Sequence, residues 1–428
     1  MTVSLHTGYD TGYLTNAVGA GADYYLGAKG EPPGYWQGAG ARTLGLAGLI
    51  GGDDEAGRAS AEVMRRLYHE DIGPDGQVLA RRQRKANYPV AGRNSLYQRI
   101  EAEVARQKAE RGRFWTPEEE RALRLSLRSA YRTLVPLYDY TFSAPKSVSV
   151  LWASLLAASA EAEAEGREAD AKRFAERAAQ VRGAVKRAND RMIAVAGREL
   201  AYVRTAHHSK TTGEWRDAVG FIVASFEQHD ARDGNMQLHV HNAIANRAQR
   251  ADGADDKWRA LHGHPLFKHK LRMGTLADRF LAQELEHIGL LSVLREDGMA
   301  LEVGGISDAA IDEFSTRSKE LRDKARELEW AYEQKHGHPP GKRARWAIRQ
   351  QAARKTRDSK DHNPPPAGEQ VAAWRRKAER SGIGALSSLC EAAAAWSAEH
   401  EPSDLPSEAE RRSIIRRAVA AVQTVNAH

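Results

Sequence analysis

The chain has 428 residues, 41% hydrophobic and 28% charged, a composition that fits two or three folded domains and excludes disordered and fibrous classes. A single cysteine, Cys390, excludes a disulfide framework and a cysteine-rich zinc ribbon. The net charge of +7 points to an anionic partner such as nucleic acid, and all of the surplus lies after Ser315.

The N-terminus, MTVSLHTGYD, lacks a basic region followed by an apolar core, so no secretory signal is expected. No apolar run of about eighteen residues is present to span a bilayer, and the expected location is the cytoplasm. The first fifty residues alternate apolar stretches with glycine and predict a strand, a short helix and a loop. At Thr116 a helix begins: the hydroxyl can cap, Pro117 suits the first helical position, and Glu119 completes a capping box. The alternation in LVPLYDYTFS predicts a strand, and the spacing of Val148, Leu151, Trp152 and Leu155 predicts a helix after Pro145. A second long helix is expected from about Arg167 to Gly197, broken from the first near Gly166.

The period then shortens. LAYVRTA, GFIVASF and QLHVHNAIAN predict consecutive strands joined by hairpins in one antiparallel meander. Helical spacing returns from about Pro265 to His287, a hairpin is expected around Asp297-Gly298, and the chain after Ser307 is almost entirely helical. The predicted class is α+β: a central antiparallel sheet flanked by helices over residues 1–315, then a basic helical extension over 316–428.

The strongest chemical signal is Leu238-His239-Val240-His241. On a strand, residues two apart share a face, so both imidazoles project together. His229, at the end of the preceding strand, could join them to make a three-imidazole metal site with open positions. Chance is the competing explanation, because His207–His208, His262/His264 and His336/His338 show how cheaply such pairs arise here.

No G-x-S-x-G elbow offers a serine nucleophile, whereas the N-terminus supplies Tyr13, Tyr24 and Tyr25. Tyr13 and Tyr24 are separated by about three helical turns, which would place them on one face of a continuous helix. Packing is the ordinary fate of any one of them. Asp139, among the aromatics of YDYTFS, needs a partner to sit in a strand, and a ligand imidazole or a nucleophilic tyrosine would supply one. Lys146 and the first amides of the helix after Pro145 could hold a phosphate, or form an ordinary strand-to-helix turn. Tyr35, Trp36 and Trp258 could stack on unpaired bases, though packing competes. P-loop, H-E-x-x-H and dinucleotide fingerprints are all missing from the sequence.

DYYLGAKGEPPGYWQGAGARTLGLAG, DYTFSAPKSVSVLWA, FEQHDARDGNMQLHVHNAIAN and GISDAAIDEFSTRSKEL together resemble the MobF (TrwC/TraI-type) conjugative relaxases, in an actinobacterial-like form. These are HUH endonucleases. The resemblance extends over most of residues 1–380 and implies nicking of one DNA strand at an origin of transfer. In it a tyrosine attacks the phosphodiester and stays joined to the 5′ phosphate. It implies His229, His239 and His241 as ligands of a divalent cation, magnesium or manganese by family, with zinc or another transition metal open to a three-histidine site. Asp139 would orient a histidine, Tyr24 and Tyr25 match the family's second tyrosine pair, and Tyr13 is the survivor of the first.

Two departures stand out: the gap between the tyrosine sites is longer, and the connection between His229 and His239 is one residue shorter. The implied partners are single-stranded origin DNA, a conjugative coupling protein and secretion machinery. Arg232 joins Lys146, Lys342, Arg343 and Arg345 as expected DNA contacts. Residues 316–428 would be DNA-clamping fingers or a linker toward a helicase, and truncation near 315 is expected to spare the metal site. An HUH replication initiator or transposase would use the same chemistry. From another class, a non-catalytic single-stranded DNA-binding protein would use the histidines structurally.

Overall fold

The computed structural model describes residues 2–6, 32–51, 54–80, 95–112, 115–130, 135–205, 213–231, 233–295, 301–356, 365 and 367–401. Its strands are β1 (Thr2–His6), β2 (Gly34–Gln37), β3 (Leu49–Ile50), β4 (Leu137–Ser143) and β5 (Tyr202–Thr205). They continue with β6 (Glu214–Asp217), β7 (Val223–Asp230), β8 (Met236–Ala245), β9 (Ser292–Leu294) and β10 (Leu301–Val303). Among the helices, α1 (Ala39–Thr43), α2 (Glu55–Glu70), α3 (Ser95–Arg111) and α4 (Pro117–Ala130) precede the sheet's centre. α5 (Lys146–Ala164), α6 (Glu168–Glu199), α7 (His264–Lys268) and α8 (Lys270–Glu286) follow, then α9 (Asp308–Glu313). The last are α10 (Thr316–His336), α11 (Lys342–Lys355), α12 (Ala367–Arg380) and α13 (Ser388–Glu399).

The class is α+β, as the sequence predicts. Six strands form one sheet in the order β1-β4-β8-β7-β2-β3, every neighbouring pair antiparallel. Alternation along β4 and β8 gives the sheet two unlike faces. One presents Tyr140, Phe142, Leu238 and Val240 to α5 and α6 and forms the main core. The other presents Leu137, Ala224, Phe226 and Ala243 to Met64, Leu67 and Tyr68 of α2. β8 is the central strand that both cores share.

Local signals are realised closely. The Thr116 capping box forms, with the Glu119 amide donating to Thr116 Oγ1 at 3.2 Å and the Thr116 amide to Glu119 Oε2 at 3.0 Å. Gly166, at φ 73°, turns α5 into α6 through a conformation that favours glycine. α5 is apolar nearly all round and is buried from Ser147 through Ser159, the mark of a helix wrapped on every side.

Two expectations change. LAYVRTA does not enter the main sheet; it pairs with β6 as a separate two-stranded ribbon, because Glu214–Asp217 offers a nearer partner than GFIVASF. The second concerns the boundary near residue 315. α10 and α11 form a hairpin with a small core of Ala325, Ile348 and Ala352. α12 and α13, in contrast, return to the main core through Val371, Trp374, Leu389, Cys390 and Ala393. The core therefore continues past residue 315, and among the described residues beyond it the α10–α11 hairpin has a separate small core.

Candidate metal centre and its surroundings

β4, β8 and β7 lie side by side, so their registers decide what meets. Ser143 pairs with His239, Thr141 with His241, and Asp139 with Ala243, all on the face that α2 covers farther along. The His239 and His241 rings lie 5.1 Å apart between centroids, edge to face. Asp139 is 4% exposed and receives His241 Nδ1 at 2.8 and 3.0 Å, while Thr141 Oγ1 donates to the same carboxylate at 3.0 Å. His239 Nδ1 lies 2.8 Å from the Gln237 carbonyl oxygen.

Those contacts fix the tautomers. A carbonyl oxygen can only accept, and an ionised carboxylate can only accept, so Nδ1 carries the proton in both rings. Nε2 is then the lone-pair nitrogen of each imidazole. A ring that donates Nδ1–H to a carboxylate or backbone carbonyl and presents Nε2 is the usual form of a metal-bound histidine. The donor chemistry of the pair fits a divalent cation.

His229 is placed elsewhere. The β7–β8 pairing is regular to Gln228↔His239 and then slips before Asp230↔Met236. The His229 ring lies 5.5 Å from the Trp152 ring on α5, behind the sheet, and its Nε2 is 3.1 Å from Gln370 Oε1. Among the described residues no three His, Cys, Asp or Glu side chains converge as a metal-holding group. The structure brings together His239, His241 and Asp139, and turns His229 toward the helices.

Tyr13, Tyr24, Tyr25 and Arg232 lie outside the described residues. Lys146 is engaged with protein rather than presented to a phosphate: its ammonium donates to the Met236 carbonyl at 2.8 Å, and burial lowers its pKa to about 8. The Ser147 amide and hydroxyl at the start of α5 both donate to Glu302, at 3.2 and 2.6 Å. A carboxylate thus occupies the helix N-terminus where an anion was expected. Trp36 and Trp258 are buried. Tyr35 donates to Asp190 at 2.6 Å, and burial and that carboxylate hold its proton on.

Lys342, Arg343 and Arg345 are exposed on α11. Sequence reasoning missed two tryptophans of the same hairpin: Trp330 on α10 and Trp346 on α11 are each 64% exposed. The available signal was a tryptophan set among arginines at helical spacing. Gln228, which sits opposite His239, was also overlooked.

A sequence model of the TrwC relaxase family matches residues 7–381. The multifunctional conjugation protein TraI of Escherichia coli is 25% identical over 371 residues; the match covers 84% of this chain and 15% of that protein's length. Among solved structures, the conjugative relaxase TrwC in complex with mutant OriT DNA aligns with a TM-score of 0.52 at 22% identity, covering 82% of this chain and 92% of that one. The metal-bound structure of TrwC with OriT DNA aligns at 0.50 and 22% identity, covering 82% and 89%. The structural likeness supports the fold, and the family match, which takes in both β4 and the histidine strand, shows that the chain belongs to the TrwC relaxase family.

Proposed function

We propose that this chain nicks one strand of DNA at the origin of transfer of a plasmid or integrative element and transfers the cut strand, as a conjugative relaxase. The observation that carries the reading is the His239–His241 pair with both Nδ1 protons committed, one of them to the buried Asp139. A divalent cation bound there would polarise a phosphoryl oxygen and neutralise charge developing on it. Asp139 holds His241 in one tautomer and one orientation.

The nucleophile is drawn from Tyr13, Tyr24 and Tyr25. The placement of their segment's ends supports this: β1 ends at His6 beside β4, and β2 begins at Gly34 beside β7. The two ends flank the strands that carry Asp139, His239 and His241. Attack forms a tyrosine O–P bond as the P–O3′ bond breaks, the tyrosine proton goes to base, and the leaving 3′ oxygen takes up a proton. The bond energy is kept in the 5′-phosphotyrosyl link, so no nucleotide is consumed and religation is the reverse step.

By the same reading the substrate is single-stranded origin DNA, with a coupling protein and secretion machinery as further partners, and the reaction takes place in the cytoplasm. No helix among the described residues is long and apolar enough to cross a membrane. Incubation with single-stranded origin oligonucleotides and Mg²⁺ or Mn²⁺ should give a covalent adduct that chelator abolishes, and peptide mapping should find it on one of the three tyrosines. Undiminished adduct in a combined Tyr13→Phe, Tyr24→Phe, Tyr25→Phe variant would sink the tyrosine assignment. Tight DNA binding indifferent to chelator, with no adduct, would favour a non-catalytic binding protein.

A further inference from the structure

We infer that the third protein donor beside His239 and His241 is the side-chain oxygen of Gln228, and that His229 is a structural residue of the β7–β8 hairpin. This rests on the metal reading above and specifies its ligand set.

Directly paired residues of an antiparallel ladder project from the same face. Gln228 pairs with His239, and Phe226 with His241, so Gln228 shares the histidines' face. Phe226, two residues earlier on β7, confirms the parity: it packs with Ala243 and Leu137 on that side. Gln228 is 3% exposed, so its amide on that face is shielded from solvent.

His229 has the opposite surroundings. Trp152, against which its ring packs, belongs with Val240 and Phe142 to the core behind the sheet. Gln370 Nε2 donates to the Pro365 carbonyl at 2.9 Å, which orients the amide so that Oε1 faces His229 at 3.1 Å. That oxygen accepts, so His229 Nε2 carries a proton and cannot ligate through it. Alternation is the cause: His229 follows Gln228 directly on β7 and so projects from the opposite face. The register slips only beyond Gln228, where β8 carries one extra residue.

The substitution has a chemical consequence. Two imidazoles and one amide oxygen form a harder donor set than three imidazoles. Carbonyl oxygen suits magnesium and manganese, so the preference moves away from zinc.

The test uses the full chain, stripped of metal and titrated with Mn²⁺ by calorimetry, with pulsed electron paramagnetic resonance counting imidazole nitrogens on the bound ion. The wild type should show two. Gln228→Ala should weaken Mn²⁺ about tenfold or more, and His229→Phe, which keeps a ring against Trp152, should change it by less than about twofold. Gln228→His should add a third nitrogen and raise the affinity for Zn²⁺ relative to Mn²⁺. Three nitrogens in the wild type would overturn the inference, whatever the variants' stability. So would a loss in His229→Phe with Gln228→Ala unchanged. A distinct failure, no Mn²⁺ binding or binding that His239→Ala and His241→Ala leave intact, would remove the metal reading itself.

Discussion

Asp139 shows how much one side chain decides. Its buried carboxylate accepts from both His241 Nδ1 and Thr141, and so sets the nitrogen that His241 presents. Asp139→Asn keeps the shape but loses the charge that favours this tautomer. Mn²⁺ affinity should fall roughly 10- to 100-fold by calorimetry, with nicking reduced in step; affinity within twofold of wild type would refute the orienting role. Lys146 offers a pH test. Burial lowers its pKa from 10.5 to about 8, outweighing the opposing pull of Asp233 and Glu302. Between those values the unfolded chain holds a proton that the folded chain lacks, so stability rises with pH across the window, by about 3 kcal/mol at full effect. Denaturant unfolding of Lys146→Met should show a flatter rise between about pH 8 and 10. Gln228 was legible in principle, since the short His229–His239 connection marked a change of parity. It was missed because a histidine stood next to it, and residue type outweighed register.

At the scale of elements, α12 acts as a splint on the β7–β8 hairpin. Trp374 Nε1 donates to the Gly234 carbonyl at 2.8 Å, Lys377 donates to Asn235 Oδ1 at 2.9 Å, and Gln370 holds His229. Trp374 also packs edge to face on Trp152, with ring centroids 6.0 Å apart. Trp374→Ala should cost roughly 3–5 kcal/mol in denaturant unfolding and loosen the hairpin as well. An unchanged midpoint would show that the helix merely rests there. A tighter approach lies across β2: a methyl at Gly34 would strike the Phe226 ring, so Gly34→Ala should cost about 1–3 kcal/mol. The periods of α5, α6 and β8 were readable because each is set by near neighbours along the chain. The α12 contacts were not, since they join residues some 140 positions apart and nothing in the local pattern of AGEQVAAWRRKAER names its partner.

At the scale of the whole molecule, charge and core divide the C-terminal part differently. The basic surplus after Ser315 suggested one detachable extension, yet α12 and α13 belong to the main core while α10–α11 have a small core of their own. Truncation near residue 315 is therefore expected to destroy the site, contrary to the expectation from sequence. Replacing Lys342, Arg343, Arg345 and Arg349 by glutamine should instead spare Mn²⁺ binding while flattening the salt dependence of single-stranded DNA affinity, by about 0.7 in log–log slope for each phosphate no longer neutralised. An unchanged slope would make α11 a merely solvated helix. Charge counting drew its boundary at residue 315 because net charge carries no information about which helices bury their other face. The splint also orders events during synthesis. β7 and β8 emerge from the ribosome long before Gln370, Trp374 and Lys377, so the nascent hairpin must wait, unclamped, while well over a hundred further residues are made. The β7–β8 hairpin is clamped only once α12 has been made, and a polypeptide interrupted earlier should lack a finished cation site.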